Sequence, residues 1–119
     1  MKVLMFKPQF AEAVEAGTKR QTVRPTRKSP IMAGDELSLR KWTGLPYRSP
    51  QILLRTAICT STQPFEITRE GYVKVDSQML ITKELEEFAH ADGFKNSDRL
   101  LIWFDETHGL PFRGTLIKW

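Results

Sequence analysis

Gly17-Thr18-Lys19-Arg20-Gln21-Thr22-Val23-Arg24 joins two unlike patterns, and its reading sets the plan of the chain. Upstream, Pro8 suits the first turn of a helix, and Phe10 and Val14 recur one turn apart, which predicts a helix from Pro8 to about Ala16. Gly17 supplies its C-terminal stop. Downstream, Pro25 biases Arg24 toward extended geometry, so Gln21 to Arg24 reads as a short strand. Val23 then anchors the strand in the core, while Arg20, Thr22 and Arg24 share the other face. Lys19 and Thr22 would lie on opposite faces of a straight strand. Their cooperation requires a bend over Gly17 to Arg20, which Gly17 permits.

Working outward, Met1 to Phe6 is strand-like, and a basic loop runs from Pro25 to Pro30. Ala33-Gly34-Asp35 reads as a turn feeding Glu36 to Trp42, where Leu37 and Leu39 alternate with polar neighbours. Gly44, Pro46 and Pro50 make Thr43 to Pro50 a loop, and the Ile, Leu and Thr of Gln51 to Ser61 predict a long central strand interrupted by Pro64. Tyr72 to Val75 is a further strand. Thr82 is expected to cap a helix with Leu85, Phe88 and Ala89 on its apolar stripe, stopped by Gly93. Ser97 is the expected cap of the next, Asp98 to Thr107, which ends near Gly109-Leu110-Pro111. Phe112 to Trp119 closes the chain as a strand. The pattern predicts one α+β domain, residues 1–119, built as a small antiparallel barrel or curled sheet carrying helices, rather than parallel βαβ units.

With 119 residues, 40% apolar and 27% charged, the chain has material for one modest core. Its longest apolar run, Leu100 to Phe104, is far too short to span a bilayer, and the start lacks the long apolar stretch and cleavage site of a signal peptide. The single cysteine, Cys59, suits a reducing compartment, so the expected location is the cytoplasm. The net charge of +4 is unevenly spread. Residues 1–60 hold eleven Lys/Arg against four Asp/Glu (+7), and residues 61–119 hold seven against ten (−3). Five cations, Lys19, Arg20, Arg24, Arg27 and Lys28, fall within ten residues. A polyanion is the natural partner class, the bland alternative being a solvated turn ion-paired with Asp35 or Glu36.

Other chemistry has little support. His90 and His108 have no ligand spacing, no cysteine is paired, and neither a Walker loop nor a dinucleotide glycine fingerprint occurs, so no metal or cofactor is expected. Cys59 and Trp103 read as core. Beside the Gly/Pro loop, Trp42 and Tyr47 are candidate stacking platforms for a base, with Arg40 on the same strand.

The segment GTKRQTVR, following a helix entered through Phe6 and Phe10, resembles the ASCH domain family of the PUA-like superfamily. The resemblance extends to Ala33-Gly34-Asp35-Glu36-Leu37-Ser38-Leu39, to Asp92-Gly93-Phe94, and to Trp103-Phe104 through His108-Gly109 and the ending Gly114 to Trp119, so it covers most of the chain. It implies a PUA-like barrel with flanking helices. The family pattern is GxKxxExR; Gly17, Lys19 and Arg24 match it, and Thr22 replaces the glutamate. That variant is similar to the small amidohydrolases that deacetylate N4-acetylcytidine, in which a Lys, a Thr and a distant Glu act together, a position where this chain offers only an Asp. The resemblance thus implies Lys19 and Thr22 as catalytic, with Asp76, in the stretch Lys74 to Met79 before a helix, as the acid. It equally implies binding or cleavage of RNA. The expected partner is RNA, a nucleoside or a nucleotide, met by Lys19, Arg20, Thr22, Arg24, Arg27, Lys28, Arg40, Trp42 and Tyr47. A protein-interaction module is the remaining alternative.

Overall fold

A computed structural model describes residues 1–119. Strand β1 (Lys2–Met5) leads into helix α1 (Pro8–Ala16), whose first position is Pro8 and whose end is turned by Gly17 at φ 81°. Strand β2 (Gln21–Pro25) follows, then β3 (Glu36–Trp42) and β4 (Gln51–Ile58). Next come β5 (Ser61–Ile67), β6 (Val73–Val75), β7 (Gln78–Leu80), helices α2 (Thr82–Ala91) and α3 (Ser97–His108), and finally β8 (Phe112–Lys118). The architecture is α+β.

The strands form two sheets. One has the order β1-β3-β4, with β1 parallel to β3 and β3 antiparallel to β4; the other, antiparallel throughout, has the order β2-β8-β5-β6-β7. The ladders do not close into a barrel. The parallel β1–β3 pair departs from the expected all-antiparallel plan: α1 and β2 lie between them in sequence and carry the chain back for a second pass in the same direction.

Gln51 to Ser61 is not one central strand. β4 ends at Ile58, lies at the edge of the first sheet with most side chains exposed, and gives way at Cys59-Thr60 to β5 in the second sheet. That corner is pinned to the turn before β3, since Gly34 N–H donates to the Cys59 carbonyl and Cys59 N–H to the Asp35 carbonyl. Pro64 lies inside β5. Its carbonyl accepts from Asp76 N–H where the ladder to β6 gives way to a turn, so the missing proline N–H breaks no strand pairing. The helix caps also shift by one residue. Ile81 occupies the cap position of α2, and Asn96 caps α3 with its side-chain oxygen accepting from Arg99 N–H at 2.9 Å.

One apolar cluster joins both sheets and all three helices, including Leu4, Val14, Leu39, Ile67, Phe88, Phe104 and Leu116. No helix is long and apolar enough to cross a membrane.

Gly114 of β8 faces Pro25 across the ladder. A Cβ there would overlap the Arg24 carbonyl oxygen and stand 3.0 Å from its carbon. Because both are backbone atoms of a paired strand, Gly114→Ala is expected to lower unfolding free energy by about 3 kcal/mol. Gly71→Ala, with nothing within 4 Å and only a φ of 92° to strain, should cost about 1–2 kcal/mol. Urea denaturation of the two variants checks the order.

Candidate nucleic-acid site at the β2 strand

The turn behaves as the residue types demand. Gly17 reverses the chain, Thr18 and Lys19 both donate backbone N–H to the Ala13 carbonyl, and β2 starts two residues later. Val23 is buried, as is Thr22. Lys19 is buried too, with only 3% of its surface exposed.

A buried ammonium needs a partner, and Asp92 supplies it. Lys19 Nζ stands 3.6 Å from Asp92 Oδ1 and donates a hydrogen bond to the Asp92 backbone carbonyl. Gln21 Nε2 donates to the same carboxylate at 3.4 Å. Asp92 caps the C-terminus of α2, and Gly93 at φ 96° then turns the chain so closely that a Cβ would lie 3.0 Å from Phe10 and 3.3 Å from the Lys19 stem. The ammonium also lies 5.0 Å from the centre of the Phe10 ring. Burial holds the Lys19 pKa below its usual range, opposed by the Asp92 charge and reinforced by the Arg24 charge. Burial likewise lifts the Asp92 carboxyl above its usual range, opposed chiefly by the Lys19 charge.

Arg24 is the second organised cation. Its Nε donates to Thr22 Oγ1 at 3.2 Å, its other arm donates to the Met5 carbonyl at 2.7 Å, and its guanidinium lies 4.8 Å from the Phe6 ring centre. Burial draws its pKa down to about 10, so it is a cation at neutral pH. The polar contacts of Lys19 therefore go to Asp92, and the Thr22 hydroxyl is held by Arg24.

Arg24 and Pro25 separate two depressions. On one side is a cleft of about 450 Å³ with Arg27, Thr26, Thr62, Gln63 and Thr115 among its walls. On the other is a pocket of about 200 Å³ walled by Phe6, Phe10, Trp103 and His108, with Lys7 at its edge. Arg27 also reaches the Val3 carbonyl at 3.5 Å, tying the basic loop to β1.

The remaining sequence candidates disperse. Arg20 is exposed, donates to the Trp119 carbonyl at 3.3 Å and lines a separate cleft with Arg55. Lys28 is exposed on the loop, and half-buried Arg40 donates to Ser38 Oγ at 2.6 Å. Trp42 and Tyr47 pack on each other, ring centres 5.1 Å apart, and line neither depression. Asp76 is an exposed residue of the two-residue β6–β7 turn, where it and Ser77 take φ 51° and 67°; its carboxylate accepts from Gln63 Nε2 at 2.6 Å. The carboxylate beside Lys19 is Asp92.

Two residues of the site stand in segments that carry the resemblance but are not among the expected site residues. Asp92 has the look of a helix-ending Asp-Gly turn, and nothing local reveals a partner 73 positions away. His108 reads as an isolated histidine, yet it packs against Trp103, Phe104 and Phe112 and lines the smaller pocket. Trp103, expected in the core, is half-buried and forms a wall of that pocket. No three His, Cys, Asp or Glu side chains converge as metal ligands. No family model, curated protein or solved structure matches this chain.

Removing one partner of a buried pair strands the other charge. Asp92→Ala is expected to cost about 3–5 kcal/mol of stability, and adding Lys19→Met should restore most of it by replacing the stranded ammonium with an apolar chain of similar length. Chemical denaturation of both variants checks this, and a double variant no more stable than Asp92→Ala would contradict it.

Proposed function

We propose that this chain is a PUA-like module of the ASCH type that binds single-stranded RNA or a modified nucleoside where Arg24 divides the two depressions. The observation that carries the reading is the shared residue: Arg24 lines both depressions, and Arg27 adds a second cation to the larger cleft. Guanidinium groups suit phosphate oxygens because their planar fork offers paired donors, and the threonine hydroxyls and Gln63 amide of the same cleft suit ribose and phosphate. The ASCH assignment draws support from the way two distant motif segments, Gly17 to Arg24 and Asp92-Gly93-Phe94, close on each other through Lys19 and Asp92.

Binding of a labelled single-stranded RNA should weaken as salt rises. Each phosphate neutralised on a single strand contributes a slope of about −0.7 in log K against log salt, so Arg27→Ala should flatten the slope by about 0.7. A titration showing no binding, or binding indifferent to salt, would reject the proposal.

One observation favours a hydrolytic reading beside it: Lys19, three positions before Thr22, is buried beside the Asp92 carboxylate, and burial draws its pKa down. In that chemistry the Lys19 amine would leave Asp92 for the Thr22 hydroxyl now held by Arg24, take its proton as the oxygen attacks an amide carbonyl, and return it to the departing amine before water cleaves the acyl ester. Under this reading, acetate release from N4-acetylcytidine should fall at least about 100-fold in Thr22→Val, a shape-preserving change that removes the hydroxyl. Unchanged turnover in that variant would take Thr22 out of the mechanism.

A further inference from the structure

The smaller pocket differs in kind from the cleft across Arg24. Four rings wall it: Phe6 and Phe10 from the start of the chain, Trp103 and His108 from α3. Phe10 and Trp103 meet edge to face at 5.8 Å, and Trp103 and His108 do the same at 5.7 Å, so the rings brace one another along the wall of the pocket. At about 200 Å³ the space is below the range of about 300–1,000 Å³ usual for drug-sized ligands, which matches one ring system better than a whole nucleotide.

Charge narrows the occupant. Cages of aromatic rings commonly hold cations, because ring faces are electron-rich. Here those faces already carry protein cations: Lys7 Nζ lies 5.2 Å from the Trp103 ring centre, the Arg24 guanidinium 4.8 Å from Phe6, and Lys19 Nζ 5.0 Å from Phe10. A cationic ligand would be repelled. A flat, neutral ring with polar edges is accommodated, and a phosphate attached to it would be attracted. His108 and Thr107 are among the lining residues, and an imidazole and a hydroxyl are the side-chain types that hydrogen-bond the edge of such a ring. Packing on its neighbours, together with the nearby Lys7 and Arg24 charges, depresses the His108 pKa, which favours a neutral imidazole with one donor and one acceptor nitrogen.

We infer that this pocket receives a single unstacked nucleobase, laid against Trp103 in the position over which Lys7 now rests, while the sugar-phosphate chain crosses Arg24 into the larger cleft. The inference rests on the nucleic-acid reading above and deepens it, since it names where a base is read. Lys7 is exposed, so its side chain can move from the ring to a phosphate without disturbing the core.

The test is nuclear magnetic resonance titration with adenosine, cytidine and uridine, with ribose 5-phosphate and tetramethylammonium as probes lacking a base. Saturable shifts of the Trp103 indole and His108 ring signals with nucleosides, absent with both other probes, are expected. Stacking on an aromatic side chain corresponds to about a five- to 150-fold loss on alanine substitution, which is the range expected for Trp103→Ala. Because Trp103 also supports neighbouring rings, the exposed His108→Ala is the companion variant and should weaken nucleoside binding while leaving the fold intact. Nucleosides that leave both signals unmoved at millimolar concentration, or tetramethylammonium that moves them, would overturn the inference. A single-stranded RNA and the same strand with abasic residues separate this from the broader reading. If both bind alike and nucleosides leave the pocket unmoved, the base pocket is lost and the backbone cleft stands. If neither strand binds while nucleosides fill the pocket, the RNA reading is lost and the pocket stands.

Discussion

The buried contact between Lys19 and Asp92 is the constraint on which the site depends. An ammonium with 3% of its surface exposed is costly unless a carboxylate and a carbonyl meet it, and Asp92 provides both. To do so, α2 must end at Asp92 and the chain must turn at Gly93 against Phe10, so the joint between α1 and β2 is locked to the joint between α2 and α3. Phe10 is then sandwiched among Lys19, Phe94 and Trp103, which places the α3 rings opposite β1 and opens the small pocket between them.

Arg24 extends that order outward. It spans from β2 to the Met5 carbonyl of β1, bridging the two sheets at the point where the ladders themselves do not join. Gly114 makes the approach of β8 to this residue possible by having no side chain to oppose the Arg24 carbonyl. The clustered cations of the sequence thus take different parts: Lys19 holds the interior, Arg24 divides two depressions, Arg27 lines the larger one, and Arg20 and Lys28 face solvent elsewhere. Clustering in sequence did not produce one continuous patch.

Local signals carried far where one residue's backbone chemistry decides the outcome. Pro8 and Gly17 bound α1, and the alternation of Leu37 and Leu39 marks β3, with the same limits the pattern predicts. They failed where the answer depends on a neighbouring element. The run from Gln51 to Ser61 has strand propensity throughout, but whether it continues or turns a corner depends on the Gly34 and Asp35 backbone that holds Cys59. Asp76 and Asp92 present the same carboxylate to a reader of the sequence, and only their surroundings distinguish a solvent-facing turn residue from a buried counter-ion.

By itself, the sequence determined the α+β character, the helix stop at Gly17, the extended Gln21 to Arg24 segment and the excess of positive charge in its first half. These follow from dihedral preferences, periodicity and composition, which act within a few residues. The tertiary structure alone decided that Lys19 turns inward to Asp92, that Thr22 is engaged by Arg24, and that Trp103 and His108, not Trp42 and Tyr47, wall a pocket beside the basic strand. Those outcomes rest on burial and on charges brought together across as many as 73 positions, and desolvation exists only once the core has closed around them.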